Sequence, residues 1–246
     1  MTGRESVPGF RRHRAPAKLT VTLRVTGVRR DGLHLLDAEM VTLDLADELE
    51  FSEGDGLEVV AADAGTRAVL PADDTNLVRR ALRVAGRRAH VRLHKRIPAG
   101  AGLGGGSADA AAVLRWAGVT DVEVAASLGA DVPFCLAGGR ARVTGIGDVL
   151  EPLPFEDRAF TLLSPPLAVS TPAVYRAWDE LGGPTADGSN DLEPAALVVE
   201  PRLAEWRDRL ADATGQTPRL AGSGATWFVE GAHSGPGLVR ARTTRP

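Results

Sequence analysis

The first part of the chain carries an alternation of apolar and polar positions that is typical of β-strands. Residues 18–25 alternate at every position, so one face of this segment is expected to be buried and the other to face solvent. Apolar residues at 35–45, 49–51 and 57–61 predict three further strands, and the Asp-Gly pair at 31–32 predicts a turn. We expect this region to form an antiparallel sheet.

Helical patterns begin later in the chain. Polar residues at 73–76 are candidates for capping a helix over 77–85, which Gly86 is expected to end. The other helices share apolar residues at helical spacing and are predicted at 109–117, 122–128, 172–181 and 201–213. Asn190 and Asp191 are expected to cap one more helix. The later strands share short apolar and β-branched runs and are predicted at 89–93, 140–143, 159–163, 226–229 and 237–242.

The order of these elements predicts an α+β fold with two domains. A proline-bearing turn at 151–154 separates residues 15–154 from residues 155–246. The second half has the order strand, helix, helix, strand, which predicts a layer of helices on one sheet. Residues 1–14 contain four arginines and no apolar core, so we expect a mobile basic segment rather than a secretory signal.

Composition narrows the class of protein. Hydrophobic residues make up 43% of the chain, charged residues 25%, and the formal net charge is −3, which is typical of a globular protein without affinity for nucleic acid. No stretch approaches the roughly eighteen apolar residues of a transmembrane helix. The single cysteine, Cys135, excludes an internal disulfide and is expected to be buried. We therefore expect a cytoplasmic protein that binds neither nucleic acid nor membrane.

A glycine-rich segment at 97–108 lies between a predicted strand and an alanine-rich helix. Glycine lets a backbone approach a ligand closely, and the first turn of a helix offers free N–H groups and the positive end of the helix dipole. Together these features predict a phosphate cradle; the alternative is a flexible surface loop. The residues predicted to contact phosphate are Pro98, Ala99, Gly100, Ala101, Gly102, Leu103, Gly104, Gly105, Gly106, Ser107 and Ala108.

Two common phosphate motifs do not fit this segment. A Walker A loop requires a lysine directly after its last glycine, and none follows here. A Rossmann fingerprint belongs in the first βα turn of a parallel sheet with an acidic residue about twenty positions on, and Asp121 is a poor candidate for that role. A nucleoside triphosphate bound by another architecture fits better.

The glycine-rich segment resembles the second motif of the superfamily of galactokinase, homoserine kinase, mevalonate kinase and phosphomevalonate kinase. Further blocks are similar, in the same order, to those of the 4-diphosphocytidyl-2-C-methyl-D-erythritol kinase family. They lie at 15–20, 29–34, 76–81, 128–134, 138–139, 145–148, 170–175, 190–194 and 222–226. The resemblance extends from Ala15 to about Val229.

This resemblance implies a fold and an activity. The fold would be a ribosomal-protein-S5-like N-terminal domain with a ferredoxin-like C-terminal domain, and the last ten or so residues would return to the first domain. The activity would be ATP- and Mg²⁺-dependent phosphorylation of the 2-hydroxyl group of 4-diphosphocytidyl-2-C-methyl-D-erythritol in non-mevalonate isoprenoid biosynthesis. The partner would be this cytidine diphosphate-linked methylerythritol, bound by a monomer or weak dimer.

The resemblance also assigns catalytic roles. Asp131 matches the family's catalytic aspartate and would accept the proton of the acceptor hydroxyl; by itself, an aspartate after a glycine is more often a turn or cap residue. Lys18 matches the catalytic lysine, whereas a lysine at the start of a strand is otherwise usually solvated. Ser107 lies where the loop meets the helix and is a candidate for a phosphate or Mg²⁺ contact, for the helix N-cap, or for both.

The expected substrate-binding residues differ in part from the family pattern. His34 matches the histidine that contacts cytosine, and Tyr175 is the candidate for one of two aromatic rings. Leu33 replaces the other ring and would lose stacking of about 1–3 kcal/mol per base. Thr20 replaces an asparagine and loses an amide donor. In the third glycine motif, Gly222 and Ser223 are also expected to contact substrate.

Two other functions remain open. Because Leu33 and Thr20 both fall on the acceptor side, the chain is alternatively a kinase of another small alcohol. A non-catalytic nucleotide-binding relative is the other alternative. The presence of both Lys18 and Asp131 opposes it, since a protein that only binds nucleotide needs neither residue.

Overall fold

A computed structural model describes residues 12–61, 71–186 and 188–246. These residues form two β-sheets with helices packed against them. The strands are β1 (Arg12–Val28), β2 (His34–Ser52), β3 (Gly56–Ala61), β4 (His90–Lys95), β5 (Arg140–Gly145), β6 (Val149–Pro152), β7 (Ala159–Leu163), β8 (Arg219–Leu220), β9 (Trp227–Glu230) and β10 (Val239–Arg242). The helices are α1 (Leu77–Val84), α2 (Gly105–Ala117), α3 (Val122–Leu128), α4 (Val132–Ala137), α5 (Thr171–Glu180), α6 (Glu193–Val199) and α7 (Leu203–Thr214).

The first sheet is built around the long strand β2. Its strand order is β3-β4-β2-β5-β6, and β1 pairs with β2 along its other edge. The expected antiparallel pairing holds for β1 with β2, whereas β3 and β4 are parallel. Helix α2 packs beneath this sheet with a run of fully buried alanines, so its first turn is held rigidly against the strands.

The second sheet has the order β10-β7-β9-β8, and all its pairs are antiparallel. Its core contains Leu163, Leu220 and Trp227 together with residues of α5, α6 and α7. After β10 the chain contacts β2, where the Thr244 amide donates to the Thr42 carbonyl over 2.9 Å. Both sheets carry helices, which confirms the α+β class.

Several predicted elements coincide with observed ones. The helix predicted at 122–128 is α3, and the helix predicted at 77–85 is α1. The Asn76 side chain caps α1 by accepting a hydrogen bond from the Val78 amide over 2.9 Å. These predictions succeeded because each depends on signals within a few residues of the element.

Two predictions about the first sheet were wrong. Residues 35–45 and 49–51 belong to the single strand β2, because β4 and β5 pair with successive parts of it. Residues 12–14, which were predicted to belong to a mobile segment at 1–14, are part of β1, which begins at Arg12. Arg12 lies opposite Glu50 and forms ion pairs with Glu48 and Glu50 at 3.2 and 3.0 Å. Residues 1–11 lie outside the described residues.

The start of α2 was also misplaced. The helix begins at Gly105 instead of residue 109, and Ser107 lies in its first turn instead of being the N-cap. The N-cap is Gly104, whose φ of +67° is a left-handed conformation that glycine adopts without strain. Since Gly104 has no side chain to accept a hydrogen bond, the amides of the first turn remain available to a ligand.

A buried charge network joins the two ends of the glycine-rich loop. The Lys95 ammonium group, at the end of β4, contacts Asp47 on β2 and lies 2.8 Å from Asp109 Oδ2 on α2. Asp47 Oδ1 also accepts hydrogen bonds from the amides of Arg96 and Ile97 at 2.5 and 2.8 Å. Strand β4, helix α2 and the residues that enter the loop are therefore held by one set of charges.

Asp109 is the member of this network whose charge is least well stabilised. Burial raises the pKa of its carboxyl group to about 7, and the neighbouring Asp47 carboxylate adds to this effect while Lys95 opposes it. Oδ1 of Asp109 is buried without a hydrogen-bond partner among the described residues. Burial therefore favours the protonated form of Asp109 at pH values below about 7.

Replacing Asp109 with asparagine tests this assignment. The folded protein keeps the Asp109 proton up to about pH 7, whereas the unfolded chain releases it near the ordinary value of 3.8. The folded state binds more protons between these values, so the free energy of unfolding contributed by this group should fall as the pH rises from about 4 to about 7. Urea denaturation should show this fall in the wild type and not in Asp109→Asn.

The matched control is Asp212→Asn on the exposed side of α7, which should keep the wild-type dependence on pH. Curves of unfolding free energy against pH that run parallel for the wild type and Asp109→Asn would contradict the assignment.

Candidate active site

The glycine-rich loop borders a cavity of about 380 Å³. All residues from Pro98 to Ser107 line it, together with Asn76 from α1 and the pair Lys95 and Asp109. Ala108, the last predicted phosphate contact, is fully buried in α2 instead. Five glycines of the loop are among the lining residues, as expected for a cradle that binds an anion through main-chain amides.

Lys18 is held in place by this loop. Its amide donates to the Leu103 carbonyl over 3.0 Å, and its side chain lies against the bare Cα of Gly104. A Cβ atom at Gly104 would lie only 2.7 Å from Lys18 Cγ, so a larger residue there would displace the lysine. The side chain of Lys18 is only 7% exposed, which excludes the solvated lysine that is usual at a strand start.

Lys18 and Asp131 form an ion pair. Lys18 Nζ lies 3.2 Å from Asp131 Oδ2, and Asp131 occupies the N-cap position of α4 without a side-chain capping bond. The Asp131 side chain is 33% exposed, so one charged group is buried while its partner remains accessible. An accessible carboxylate beside a buried ammonium group can receive a proton from a bound hydroxyl group.

Thr20 contacts the lysine as well. Lys18 Nζ donates to Thr20 Oγ1 over 3.1 Å, and Thr20 is buried. Thr20 was expected to contact substrate; it borders the second cavity, and its hydroxyl also orients Lys18.

A second cavity of about 300 Å³ adjoins the first. Its lining includes the predicted site residues Lys18, Thr20, Asp131, Tyr175, Gly222 and Ser223. Gly102, Gly104 and Ser107 border both cavities. The ion pair therefore lines the second cavity, and Lys18 lies against Gly104, which borders both cavities.

An aromatic cluster closes the far end of the second cavity. Tyr175 lines the cavity, and the ring of His34 packs behind it with a centroid distance of 4.6 Å. His34 Nε2 lies 2.8 Å from Asp179 Oδ1, and its ring meets Trp178 edge-on at 5.5 Å. Burial raises the pKa of Tyr175, so its phenol group stays neutral.

Leu33 is more exposed to solvent than the aromatic residues of this cluster. It is 45% exposed at the tip of the β1–β2 hairpin and, unlike Tyr175, is absent from the described lining of the second cavity. His34 is likewise absent from that lining. The structure thus brings together Lys18, Thr20, Asp131, Tyr175, Gly222 and Ser223 but leaves Leu33 and His34 at the periphery.

Some residues of the site were missed by the sequence analysis. Lys95 and Asp109 line the first cavity, and Asp179 contacts His34. Asp109 could have been found from the sequence, because it is a charged residue within an alanine-rich helix. A charged side chain on a helix face that is expected to be buried needs a partner. Asp179 gave no such signal, because it lies on an exposed helix face.

The described residues contain no reactive cysteine, no cluster of metal-ligating side chains and no membrane-spanning helix. Burial raises the pKa of the Cys135 thiol to about 12, so this cysteine is an inert core residue as expected. No group of three or more histidine, cysteine, aspartate or glutamate side chains in the described ranges is placed to hold a metal ion. No helix within those ranges has the length and apolar character needed to cross a membrane.

Comparison with known proteins agrees with this geometry. Residues 76–139 match the family model for the GHMP kinases N terminal domain. Over 242 residues the chain is 40% identical to a 4-diphosphocytidyl-2-C-methyl-D-erythritol kinase of Paracoccus denitrificans, covering 90% of this chain and 87% of that protein. A protein of the same name from Cereibacter sphaeroides is 39% identical over 260 residues, covering 94% and 93%.

The similarity extends to three dimensions. A crystal structure of 4-(cytidine 5'-diphospho)-2C-methyl-D-erythritol kinase matches with a TM-score of 0.70 and 34% sequence identity, covering 89% of each chain. Identity at this level over nearly the whole chain confirms the family and the GHMP kinase fold that the motifs predicted. The chain belongs to the 4-diphosphocytidyl-2-C-methyl-D-erythritol kinase family of GHMP kinases.

Proposed function

We propose that the chain transfers the γ-phosphoryl group of ATP to the 2-hydroxyl group of 4-diphosphocytidyl-2-C-methyl-D-erythritol, with Lys18 and Asp131 as the catalytic pair. The observation that carries this proposal is the Lys18–Asp131 ion pair, which lines the second cavity next to the glycine-rich loop. The names of the relatives from Paracoccus and Cereibacter support the same reaction.

The first cavity would hold the nucleotide. Phosphoryl transfer depends on positioning a triphosphate and neutralising its charge, and the amides of the loop and of the first turn of α2 provide both. Ser107 borders both cavities, so its hydroxyl group is our candidate ligand for Mg²⁺. A bound Mg²⁺ would supply further positive charge beside the phosphate oxygens.

The catalytic pair would act on the acceptor hydroxyl group. As the hydroxyl oxygen bonds to the γ-phosphorus, the bond between that phosphorus and the oxygen of the leaving ADP breaks. The hydroxyl proton passes to the accessible carboxylate of Asp131. The buried ammonium group of Lys18, oriented by Thr20, stabilises the negative charge on the transferring group.

The second cavity would hold the cytidine end of the acceptor. Tyr175 offers its ring as a stacking surface, and His34 supports that ring from behind. We assign further contacts with the acceptor to Gly222 and Ser223, which line the same cavity. The protein is proposed to act in the cytoplasm as a monomer or weak dimer.

A kinase of another small alcohol is the second candidate function. It is favoured by Leu33, which is exposed and is not part of the cavity lining. A cytosine in this cavity would therefore stack on Tyr175 without a second aromatic ring at position 33. This alternative keeps the nucleotide site and the catalytic pair unchanged.

An assay of ADP release decides between these acceptors. With ATP and Mg²⁺ present, 4-diphosphocytidyl-2-C-methyl-D-erythritol should give turnover far above the rate without acceptor, whereas homoserine and mevalonate should not. Turnover with the cytidine compound no faster than in buffer would overturn the proposal, and turnover with another alcohol alone would establish the second candidate.

Replacing Asp131 with alanine should lower kcat by about 10²–10⁴, because the acceptor hydroxyl loses its proton acceptor. The affinity for ATP, measured by calorimetry with a non-hydrolysable analogue, should change little. Glu123→Gln is the matched control, since Glu123 is exposed on the neighbouring helix α3. An Asp131→Ala variant with wild-type kcat would remove this residue from the mechanism.

Substitutions at Tyr175 separate stacking from the phenol group. Tyr175→Ala should raise the KM for the acceptor by about tenfold or more, since a base–aromatic stack contributes about 1–3 kcal/mol. Tyr175→Phe keeps the ring and should retain a KM near the wild-type value. Equal KM values for all three proteins would show that the base lies elsewhere.

A further inference from the structure

The segment from Ser189 to Asp191 connects the two sheets. The Ser189 carbonyl accepts from the Leu23 amide over 2.8 Å, and the Asp191 amide donates to the Leu23 carbonyl over 3.0 Å. Asn190 is thereby aligned with Leu23 in a parallel bridge, five residues beyond Lys18 on the same strand. The position of Asn190 is set by the strand that carries the catalytic lysine.

The side chain of Asn190 holds the third glycine motif. Its Nδ2 atom donates to the Leu220 carbonyl over 2.9 Å and to the Gly222 carbonyl over 2.7 Å, while its Oδ1 atom accepts from the Leu192 amide over 3.0 Å. Asn190 is only 2% exposed. The N-cap of α6 is Leu192, so the expected capping role does not account for the two bonds that Nδ2 makes.

The turn held by Asn190 lines the second cavity and packs against the glycine-rich loop that lines the first. Gly222 faces the catalytic lysine, since a Cβ atom there would lie 3.7 Å from Lys18 Nζ. On its other side the turn packs against the glycine-rich loop, where a Cβ atom at Gly102 would lie 2.5 Å from the Gly224 carbonyl oxygen. The Thr226 amide also donates to the Ala101 carbonyl over 3.1 Å.

We propose that Asn190 is a positioning residue for phosphoryl transfer, which sets the turn at 221–226 against both the phosphate cradle and Lys18. Asn190 itself lines neither of the two cavities and acts through the turn. An asparagine is suited to this role because one amide group supplies two donors to the turn and one acceptor to the start of α6. This inference rests on the proposed function for its kinetic part only.

Asn190→Asp tests this proposal most directly. It keeps the shape of the side chain but replaces Nδ2 with an oxygen, which then lies against the carbonyl oxygens of Leu220 and Gly222. Hydrogen exchange at the amides of Ala221, Gly224 and Thr226 should become at least about tenfold faster, because the turn loses its support. With the acceptor that the enzyme turns over, kcat should fall about tenfold or more while both KM values stay within about threefold, since misplaced groups slow the chemical step.

The adjacent Asp191→Asn is the matched control. Asp191 binds Arg24 at 2.6 Å and accepts a hydrogen bond from the Val25 amide at 3.0 Å, and its side chain forms no hydrogen bond with the turn at 221–226. This variant should therefore lower the Tm while keeping kcat and the exchange rates of the turn. If Asn190→Asp does not fold, Asn190→Ser provides the same two measurements with one donor retained.

Two results would overturn the proposal. One is exchange at 221–226 that matches the wild type in a folded Asn190 variant. The other is faster exchange with unchanged kcat, which would make Asn190 a structural residue only. If the wild type shows no turnover with any acceptor, the proposed function fails, and the exchange measurement still tests whether Asn190 holds the turn.

Discussion

The close contact between Lys18 and the backbone of the glycine-rich loop is the constraint on which the active site depends. The lysine stem passes over Gly104, its amide bonds to Leu103, and its ammonium group meets Asp131. A side chain at position 104 would occupy the same space. The residue that would bind phosphate and the residue that would stabilise the transferring group are therefore positioned by one packing contact.

Charge is distributed unevenly around this contact. Beneath the loop, Lys95 contacts the carboxyl groups of both Asp47 and Asp109. Burial raises the pKa of Asp109 and so favours its protonated form. In the second cavity, Lys18 pairs with Asp131, whose carboxylate remains accessible. The buried network links β2, β4 and α2 and suits a structural role, whereas the partly exposed Asp131 carboxylate is accessible to a ligand.

The sequence predicted the parts of the molecule that depend on local signals. The boundaries of α1 and α3, the turn before His34 and the strand that carries Lys18 follow from capping residues, periodicity and glycine. The position of the glycine-rich loop between a strand and a helix was also predicted from local signals. The start of α2 was misjudged because Gly104 can cap a helix through its backbone conformation alone, and Ser107 offered a more familiar cap.

The remaining parts depend on contacts between distant residues. The link from Asp47 to Asp109 joins two elements more than sixty positions apart, and Asn190 holds a turn some thirty residues away. No periodicity or short motif indicates such pairs in a single sequence. For the same reason the accessible position of Leu33 could not be predicted, since it depends on how the hairpin tip packs against α5.

A crystal structure with a non-hydrolysable ATP analogue and the cytidine diphosphate acceptor tests the central claim most directly. The account predicts the γ-phosphate within hydrogen-bond distance of Lys18 Nζ, the acceptor 2-hydroxyl group beside Asp131, and the cytosine ring against Tyr175. A triphosphate bound away from the amides at 100–107, or an acceptor hydroxyl group out of reach of Asp131, would contradict it.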